Sequence, residues 1–123
     1  MENNTSTTAP RTGLTTLDPN AGHVTTINTY TVTRERAEEV LTYLVHSAEE
    51  TVRYVPGFLS FNFHLSLDHM QIVNYGQWAS REAVMAAREN PKVKALMAET
   101  VKVAGSSNSV PYVLRKSVPA AGK

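Results

Sequence analysis

The sequence predicts an α+β protein of the ferredoxin-like type, a split βαβ sandwich with helices on one face of a single sheet. Apolar residues recur at helical spacing over residues 37–52, and over residues 58–67 they alternate with polar residues as in a strand. The predicted elements follow the order strand, helix, strand, strand, helices, strand. This order is the one that the fold requires.

The first strand is predicted over residues 24–32 and the first helix directly after it. Thr33 is the candidate N-cap of this helix, and Pro56-Gly57 stops it. The helix is predicted from seven apolar positions that share one face: Ala37, Val40, Leu41, Leu44, Val45, Ala48 and Val52.

A hairpin is predicted over residues 58–78, with a turn at Asp68-His69. A two-residue turn pairs Leu65 with Ile72, Phe63 with Asn74, Phe61 with Gly76 and Leu59 with Trp78. Asn74 and Trp78 then share the aromatic face of the sheet. His64 lies on the other face, where we favour a dimer-interface role over a role as general base.

Two helices and a last strand complete the prediction. The first of these helices opens at Ser80, and the second is capped by Asn90 and ends at Gly105. The last strand is predicted over residues 110–118, and its Pro111 suits a sheet edge. We expect the first and third strands to be parallel neighbours in the middle of the sheet, so that Asn28 and Asn74 converge beneath the helices.

Size and composition indicate one domain. The chain has 123 residues, 41% of them apolar, which predicts a core domain over residues 23–118, a flexible N-terminal tail over residues 1–22 and a C-terminal tail over residues 119–123. With 12 basic and 11 acidic residues and no basic stripe, no nucleic-acid partner is expected. With no cysteine, no signal segment and no long apolar run, we expect a cytoplasmic protein without a membrane partner.

Asn28 and Asn74 stand in the middle of apolar strands, where asparagine is depleted. Burying an amide without a partner costs about 1 to 3 kcal/mol, so these residues need an explanation. Either they satisfy each other, or they face a ligand. Trp78 ends the same strand as Asn74 and is either a core residue or a part of the same site.

A flat apolar slot is predicted beside the two asparagines. Tyr30 has the same strand parity as Asn28 and reaches this slot or serves a structural role. His23, His46 and His69 are too scattered for a metal site, so no metal is expected. The residues expected to bind a substrate are Tyr30, Leu59, Phe61, Phe63, Leu96 and Met97. The uncovered sheet face predicts a two-fold homodimer.

Three segments now resemble the antibiotic-biosynthesis monooxygenase superfamily of dimeric α+β barrels. They are Thr-Ile-Asn-Thr-Tyr-Thr-Val around Asn28, Val-Pro-Gly-Phe-Leu-Ser over residues 55–60, and Val-Asn-Tyr-Gly-Gln-Trp-Ala-Ser over residues 73–80. The resemblance covers residues 24–117. Within the superfamily, the chain is most similar to the small cofactor-free, quinone-forming oxygenases of aromatic polyketide pathways.

The resemblance implies a homodimeric enzyme that needs no cofactor and oxidises an anthrone or hydroquinone to a quinone with dioxygen. Asn28, Asn74 and Trp78 are the expected catalytic residues, whose N–H donors suit the stabilisation of an oxyanion. Met97 stands where haem-degrading relatives carry an iron-binding histidine and quinone-forming relatives an arginine. A non-oxidative cyclase or ligand-binding dimer of the same fold is the alternative, and a haem-degrading monooxygenase is a weaker one.

Overall fold

The computed structural model describes residues 13–122. Its elements are β1 (Val24–Thr31), α1 (Ala37–Glu50), a short 3-10 turn (Val52–Tyr54), β2 (Phe58–Leu65), β3 (Gln71–Trp78), α2 (Arg81–Glu89), α3 (Pro91–Ala104) and β4 (Val110–Val113). Their order confirms the predicted ferredoxin-like α+β fold. Among these described residues, no helix is long and apolar enough to cross a membrane.

The four strands form one antiparallel sheet in the order β2-β3-β1-β4. The expected parallel pairing of β1 and β3 is therefore wrong, although the two strands are neighbours. The crossover through α1 brings β2 back in the direction of β1, and the hairpin then reverses β3 into the gap between them. Asn28 lies directly opposite Asn74 in the resulting ladder.

The hairpin register agrees with the prediction except at its open end. Leu65, Phe63 and Phe61 pair with Ile72, Asn74 and Gly76 as expected. A bulge at Leu59 then shifts the register, so that Phe58 rather than Leu59 lies opposite Trp78. Leu59 is 44% exposed as a result.

Two of the three predicted helix N-caps are present in the structure. Ser80 Oγ accepts a hydrogen bond from the Ala83 N–H at 3.0 Å, and Asn90 Oδ1 caps α3 at the Lys92 N–H at 2.9 Å. Thr33 does not cap α1. That helix begins three residues later than a Thr33 cap would require, after Arg36, whose side chain makes no capping bond.

The C-terminal strand is shorter than predicted. Only four residues, Val110–Val113, pair with β1, and Pro111 stands on the sheet edge as expected. Residues 114–122 have no helix or strand. The shortening follows from the pairing, because β4 extends only along the first half of β1.

Part of the predicted N-terminal tail is described and contacts the sheet. Residues 1–12 lie outside the described residues, and residues 13–22 form no helix or strand. Thr15 Oγ1 donates to Asn62 Oδ1 at 2.8 Å, and Gln77 Nε2 donates to the Thr16 carbonyl at 2.9 Å. Thr15 and Thr16 therefore lie against the sheet face opposite to the helices, called here the outer face.

The core lies between the sheet and the helices in two clusters. One is built around Ile72 and Val40, both almost fully buried, and the other around Trp78 and Val84. Between them the side chains of β1 and β3 do not fill the space beneath α2 and α3. The cavity that remains is the candidate site.

Candidate active site

A cavity of about 310 Å3 opens between the helical face of the sheet and the three helices. This volume is within the range of small-molecule sites, from roughly 300 to 1,000 Å3. Its walls are mostly apolar. The strands contribute Thr26, Asn28, Tyr30, Phe61, Phe63, Asn74 and Trp78, and the helices contribute Leu44, Ser47, Ala48, Val84, Ala87, Arg88, Val93, Lys94, Leu96, Met97 and Thr100, with Val52 and Ser109 from the connecting segments.

Asn28 and Asn74 form the polar floor of the cavity. They are 8% and 4% exposed, and the amide oxygen of each is buried without a hydrogen-bond partner. Among the described residues neither side chain makes a hydrogen bond, so the two carboxamides do not satisfy each other. Of the two explanations open at the sequence level, the geometry favours a pair that faces the cavity.

Trp78 lies beside this floor and already has a partner. Its indole N–H donates to Thr26 Oγ1 at 3.3 Å, a long hydrogen bond, and the ring is 5% exposed. Thr26 was not predicted as a site residue. Its parity with Asn28, two positions along the same strand, is the signal that could have identified it.

An aromatic cluster forms the wall next to Trp78. Phe61 and Phe58 pack edge-to-face with the Trp78 ring, with centroid distances of 6.1 and 5.4 Å, and Phe63 packs edge-to-face with Phe61 at 6.0 Å. Such arrangements favour fixed ring positions. Phe61 and Phe63 both line the cavity, where the sequence predicted an apolar slot.

The other predicted binding residues are also at the cavity, with one exception. Tyr30, Leu96 and Met97 line it, Tyr30 at 4% and Met97 at 41% exposure. Leu59 does not line it, because the bulge in β2 turns this side chain towards solvent. The structure corrects that placement.

The titratable residues around the cavity are cationic or phenolic. The described lining residues include Arg88, Lys94 and Tyr30 but no carboxylate and no histidine. His64 lies on the outer face opposite Val73, as the hairpin register predicts. No group of three or more histidine and carboxylate side chains within residues 13–122 is arranged to hold a metal ion.

Arg88 and Lys94 were missed as site residues. Helical spacing gives a signal for each, since Arg88 follows Val84 by four positions and Lys94 precedes Met97 by three. Both neighbours line the cavity. A charged side chain beside an apolar stripe is normally a solvated one, which is why the sequence did not single these residues out.

Comparison with known proteins agrees with the fold. Residues 23–99 match the family described as Antibiotic biosynthesis monooxygenase. This segment is more than half of the chain, and the chain belongs to that family. The chain is thus an enzyme, a monooxygenase of the antibiotic biosynthesis type.

Three individual proteins are similar to this chain. Tetracenomycin-F1 monooxygenase of Streptomyces glaucescens is 37% identical over 79 residues, which are 64% of this chain and 70% of that protein. The structure of a monooxygenase from the gene ActVA-Orf6 of Streptomyces coelicolor, in complex with nanaomycin D, aligns with a TM-score of 0.71 and 25% identity over 85% of this chain and 96% of that one. SnoaB of Streptomyces nogalater, a cofactor-independent oxygenase, aligns with a TM-score of 0.61 over 81% of this chain and all of that one. At 21% identity, SnoaB supports the fold alone.

Proposed function

We propose that the protein is a cofactor-independent monooxygenase that oxidises an anthrone or hydroquinone of the aromatic polyketide type to a quinone with dioxygen. The observation that carries the proposal is the pair of opposed, buried carboxamides, Asn28 and Asn74, on the floor of an apolar cavity. The names of the relatives support the same class of substrate.

The proposed reaction needs little covalent chemistry from the protein. Deprotonation of the anthrone methylene gives an anion, which transfers one electron to dioxygen. The resulting superoxide and substrate radical combine to form a carbon–oxygen bond, and the peroxide anion takes up one proton to give a hydroperoxide. Loss of water from this hydroperoxide removes one oxygen atom of dioxygen and the second methylene hydrogen, and leaves the quinone carbonyl.

Asn28 and Asn74 are proposed to support the first step. An unpartnered amide oxygen can accept the phenolic O–H of the neutral substrate, and an amide N–H can donate to the oxygen that carries the negative charge of the anion. Donors fixed in a water-poor site stabilise such charge strongly. A hydrogen bond to the charged form also lowers the substrate pKa, which fits a cavity whose described lining holds no carboxylate and no histidine.

Trp78 and the aromatic wall are proposed to hold the ring system. Phe61, Phe63 and Leu96 offer flat or apolar surface, and the walls around the anion are mostly apolar. Trp78 adds an N–H near the floor, which must weaken its long bond to Thr26 in order to reach a ligand. Tyr30 and Met97 complete the proposed substrate contacts.

The test uses 1,8-dihydroxyanthrone in buffer that contains a metal chelator. Oxygen consumption and quinone absorbance are recorded together, with heat-denatured protein as the blank, because anthrones also oxidise without an enzyme. The proposal requires a rate above the blank that disappears under nitrogen and survives chelation. A rate equal to the blank contradicts it.

Two further measurements, made beside this assay, distinguish the alternative functions. Binding without oxygen uptake, with a product of unchanged oxidation level, identifies a cyclase or a ligand-binding protein. A Soret band on addition of haem identifies a haem enzyme.

We further propose that the protein acts as a homodimer whose copies meet at the outer face. Ile27, Val73 and Tyr75 lie half-buried there, and Val110 and Tyr112 are 46% and 49% exposed. Apolar surface of this kind is commonly covered by a second copy. Light scattering on the eluting protein checks this, and a mass of one chain contradicts it.

A further inference from the structure

The open side of the cavity carries positive charge that the proposed oxidation does not use. Arg88 and Lys94 both line it, and the described lining contains no carboxylate, although Lys94 pairs with Glu89, which lies outside the lining. We infer that this cationic rim, defined as Arg88 and Lys94, binds a carboxylate on the substrate, remote from the ring that reacts. The inference rests on the proposed function, because it assigns the outer end of the substrate whose inner end faces Asn28 and Asn74.

Arg88 is held in position but keeps its charge. Its Nη2 donates to the Ser109 carbonyl at 2.5 Å, which ties the end of α2 to the segment before β4. A carbonyl is a neutral acceptor, and among the described residues Arg88 forms no ion pair. A guanidinium has five N–H donors in a rigid fork suited to a carboxylate, so donors remain for a ligand.

Lys94 is paired, but its partner is easily exchanged. Its Nζ lies 3.2 Å from Glu89 Oε1, with the two side chains 60% and 78% exposed. Ion pairs between exposed side chains contribute little to stability. A ligand carboxylate at the rim can therefore replace Glu89 without a large loss.

The N-terminal end of α3 adds to the positive electrostatic potential at this side of the cavity. Asn90 caps this helix, and Val93 and Lys94 in its first turns line the cavity. The N-terminal end of a helix carries partial positive charge. Two side chains and one helix end thus favour an anion at this side of the cavity.

Three kinds of surface follow one another from the floor of the cavity to its rim, and their order indicates the class of substrate. Buried amides form the floor, aromatic and aliphatic side chains follow, and exposed cations form the rim. A molecule that matches this order has a hydroxyl or carbonyl at one end, a flat fused ring system in the middle and a carboxylate at the other end. The inferred substrate is therefore a hydroxylated polycyclic aromatic acid.

The experiment measures binding of two quinone probes that cannot be oxidised further in this reaction. They are 1,8-dihydroxyanthraquinone-3-carboxylic acid and its methyl ester, which differ in the charge of one group. The chain has a single tryptophan, Trp78, and this residue lines the cavity, so quenching of its fluorescence reports binding. We expect the wild type to bind the acid about tenfold more tightly than the ester, since hydrogen bonds between charged groups exceed neutral ones.

Two variants test the rim separately. Arg88→Gln and Lys94→Gln should each weaken binding of the acid several-fold and leave binding of the ester unchanged. Arg81→Gln is the matched control, because Arg81 is an exposed arginine on the same helix that does not line the cavity. A thermal melt of each variant confirms folding.

Two results overturn the inference: equal affinity of the wild type for acid and ester, or an equal loss of both ligands in the rim variants. The second result is the one that a purely structural tie from Arg88 to Ser109 predicts. The probes are already quinones, so a wild type that prefers the acid but oxidises neither 1,8-dihydroxyanthrone nor 1,8-dihydroxyanthrone-3-carboxylic acid refutes the proposed oxidation and not the rim. A wild type that oxidises the anthrone but shows no preference refutes the rim alone.

Discussion

Asn28 on β1 and Asn74 on β3 lie directly opposite each other, and each buries an amide oxygen without a hydrogen-bond partner. Directly opposed side chains in an antiparallel pair are close enough to act on one ligand atom or on two neighbouring ones. Leaving polar atoms in this state costs stability. Such a cost is typical of a binding site whose ligand completes the hydrogen bonds.

Asn74→Ala should reduce turnover much more than stability. Loss of one donor to a developing oxyanion lowers kcat by roughly 10² to 10³, while removal of an already unsatisfied amide changes the free energy of unfolding by less than about 1 kcal/mol. Steady-state kinetics and urea denaturation measure the two effects. A variant with near-normal turnover and a large loss of stability would show that Asn74 is structural.

Asn62→Ala is the matched control for that experiment. Asn62 also stands in a strand, but its amide donates to the Tyr75 carbonyl at 2.9 Å on the outer face. Its removal should cost about 1 kcal/mol of stability and leave turnover of the folded protein unchanged.

Trp78→Phe should keep the fold and lower kcat about tenfold, because most of the ring area remains while the N–H donor is lost. Thr26→Val tests whether the indole N–H acts through its hydrogen bond with Thr26 or through a hydrogen bond with the ligand. It removes the acceptor at 3.3 Å and frees the indole N–H for a ligand, so its turnover should equal or exceed that of the wild type. Equal losses of kcat in both variants would show that the indole N–H acts through its hydrogen bond with Thr26 and not through a ligand.

Gly76→Ala should destabilise the protein and weaken substrate binding. A Cβ at this position would lie 2.7 Å from Thr26 Oγ1 and 2.8 Å from the Phe61 ring. Overpacking of this kind costs about 1 to 3 kcal/mol. Displacement of the Phe61 ring towards the cavity should also raise KM.

The double variant Gly76→Ala/Phe61→Leu tests the cause of that effect. If crowding against the ring is responsible, the smaller side chain recovers part of the lost stability, and a double-mutant cycle gives a favourable coupling energy. Additive losses would show that Phe61 is not the group displaced.

Asp68 should make the hairpin sensitive to acid. Its carboxylate accepts hydrogen bonds from the Ser66 hydroxyl and the Met70 N–H, and these bonds lower its pKa from the ordinary 3.8. A pKa that is lower in the folded state contributes stability above the ordinary value, and this contribution is lost as the pH falls through the folded pKa. Asp68→Asn should flatten the wild-type decrease in melting temperature as the pH falls below about 5, and parallel profiles for the two proteins would contradict this.

The sequence predicted the fold because local signals agreed with one another. The apolar period of α1, the alternation of β2 and the caps Ser80 and Asn90 each specify an element without help from the rest of the chain. The pairing of Phe63 with Asn74 followed from the hairpin turn alone. These are short-range effects that a single sequence contains.

The errors concern long-range geometry. The bulge at Leu59 depends on how Phe58 packs against Trp78, which alternation along one strand does not reveal. The direction of β3 relative to β1 is set by the crossover and the hairpin together. The cationic rim depends on the docking of α2 against the sheet, so Arg88 carried no signal beyond its spacing from Val84.

The contacts of Thr15 and Thr16 with Asn62 and Gln77 have a consequence for self-association. They place the leading segment on the surface through which two copies would meet. A second subunit must either share that surface with the segment or displace it. In the proposed homodimer, the strength of pairing would therefore depend on Thr15 and Thr16, which do not line the cavity, and removal of residues 13–17 should alter assembly while the cavity stays intact.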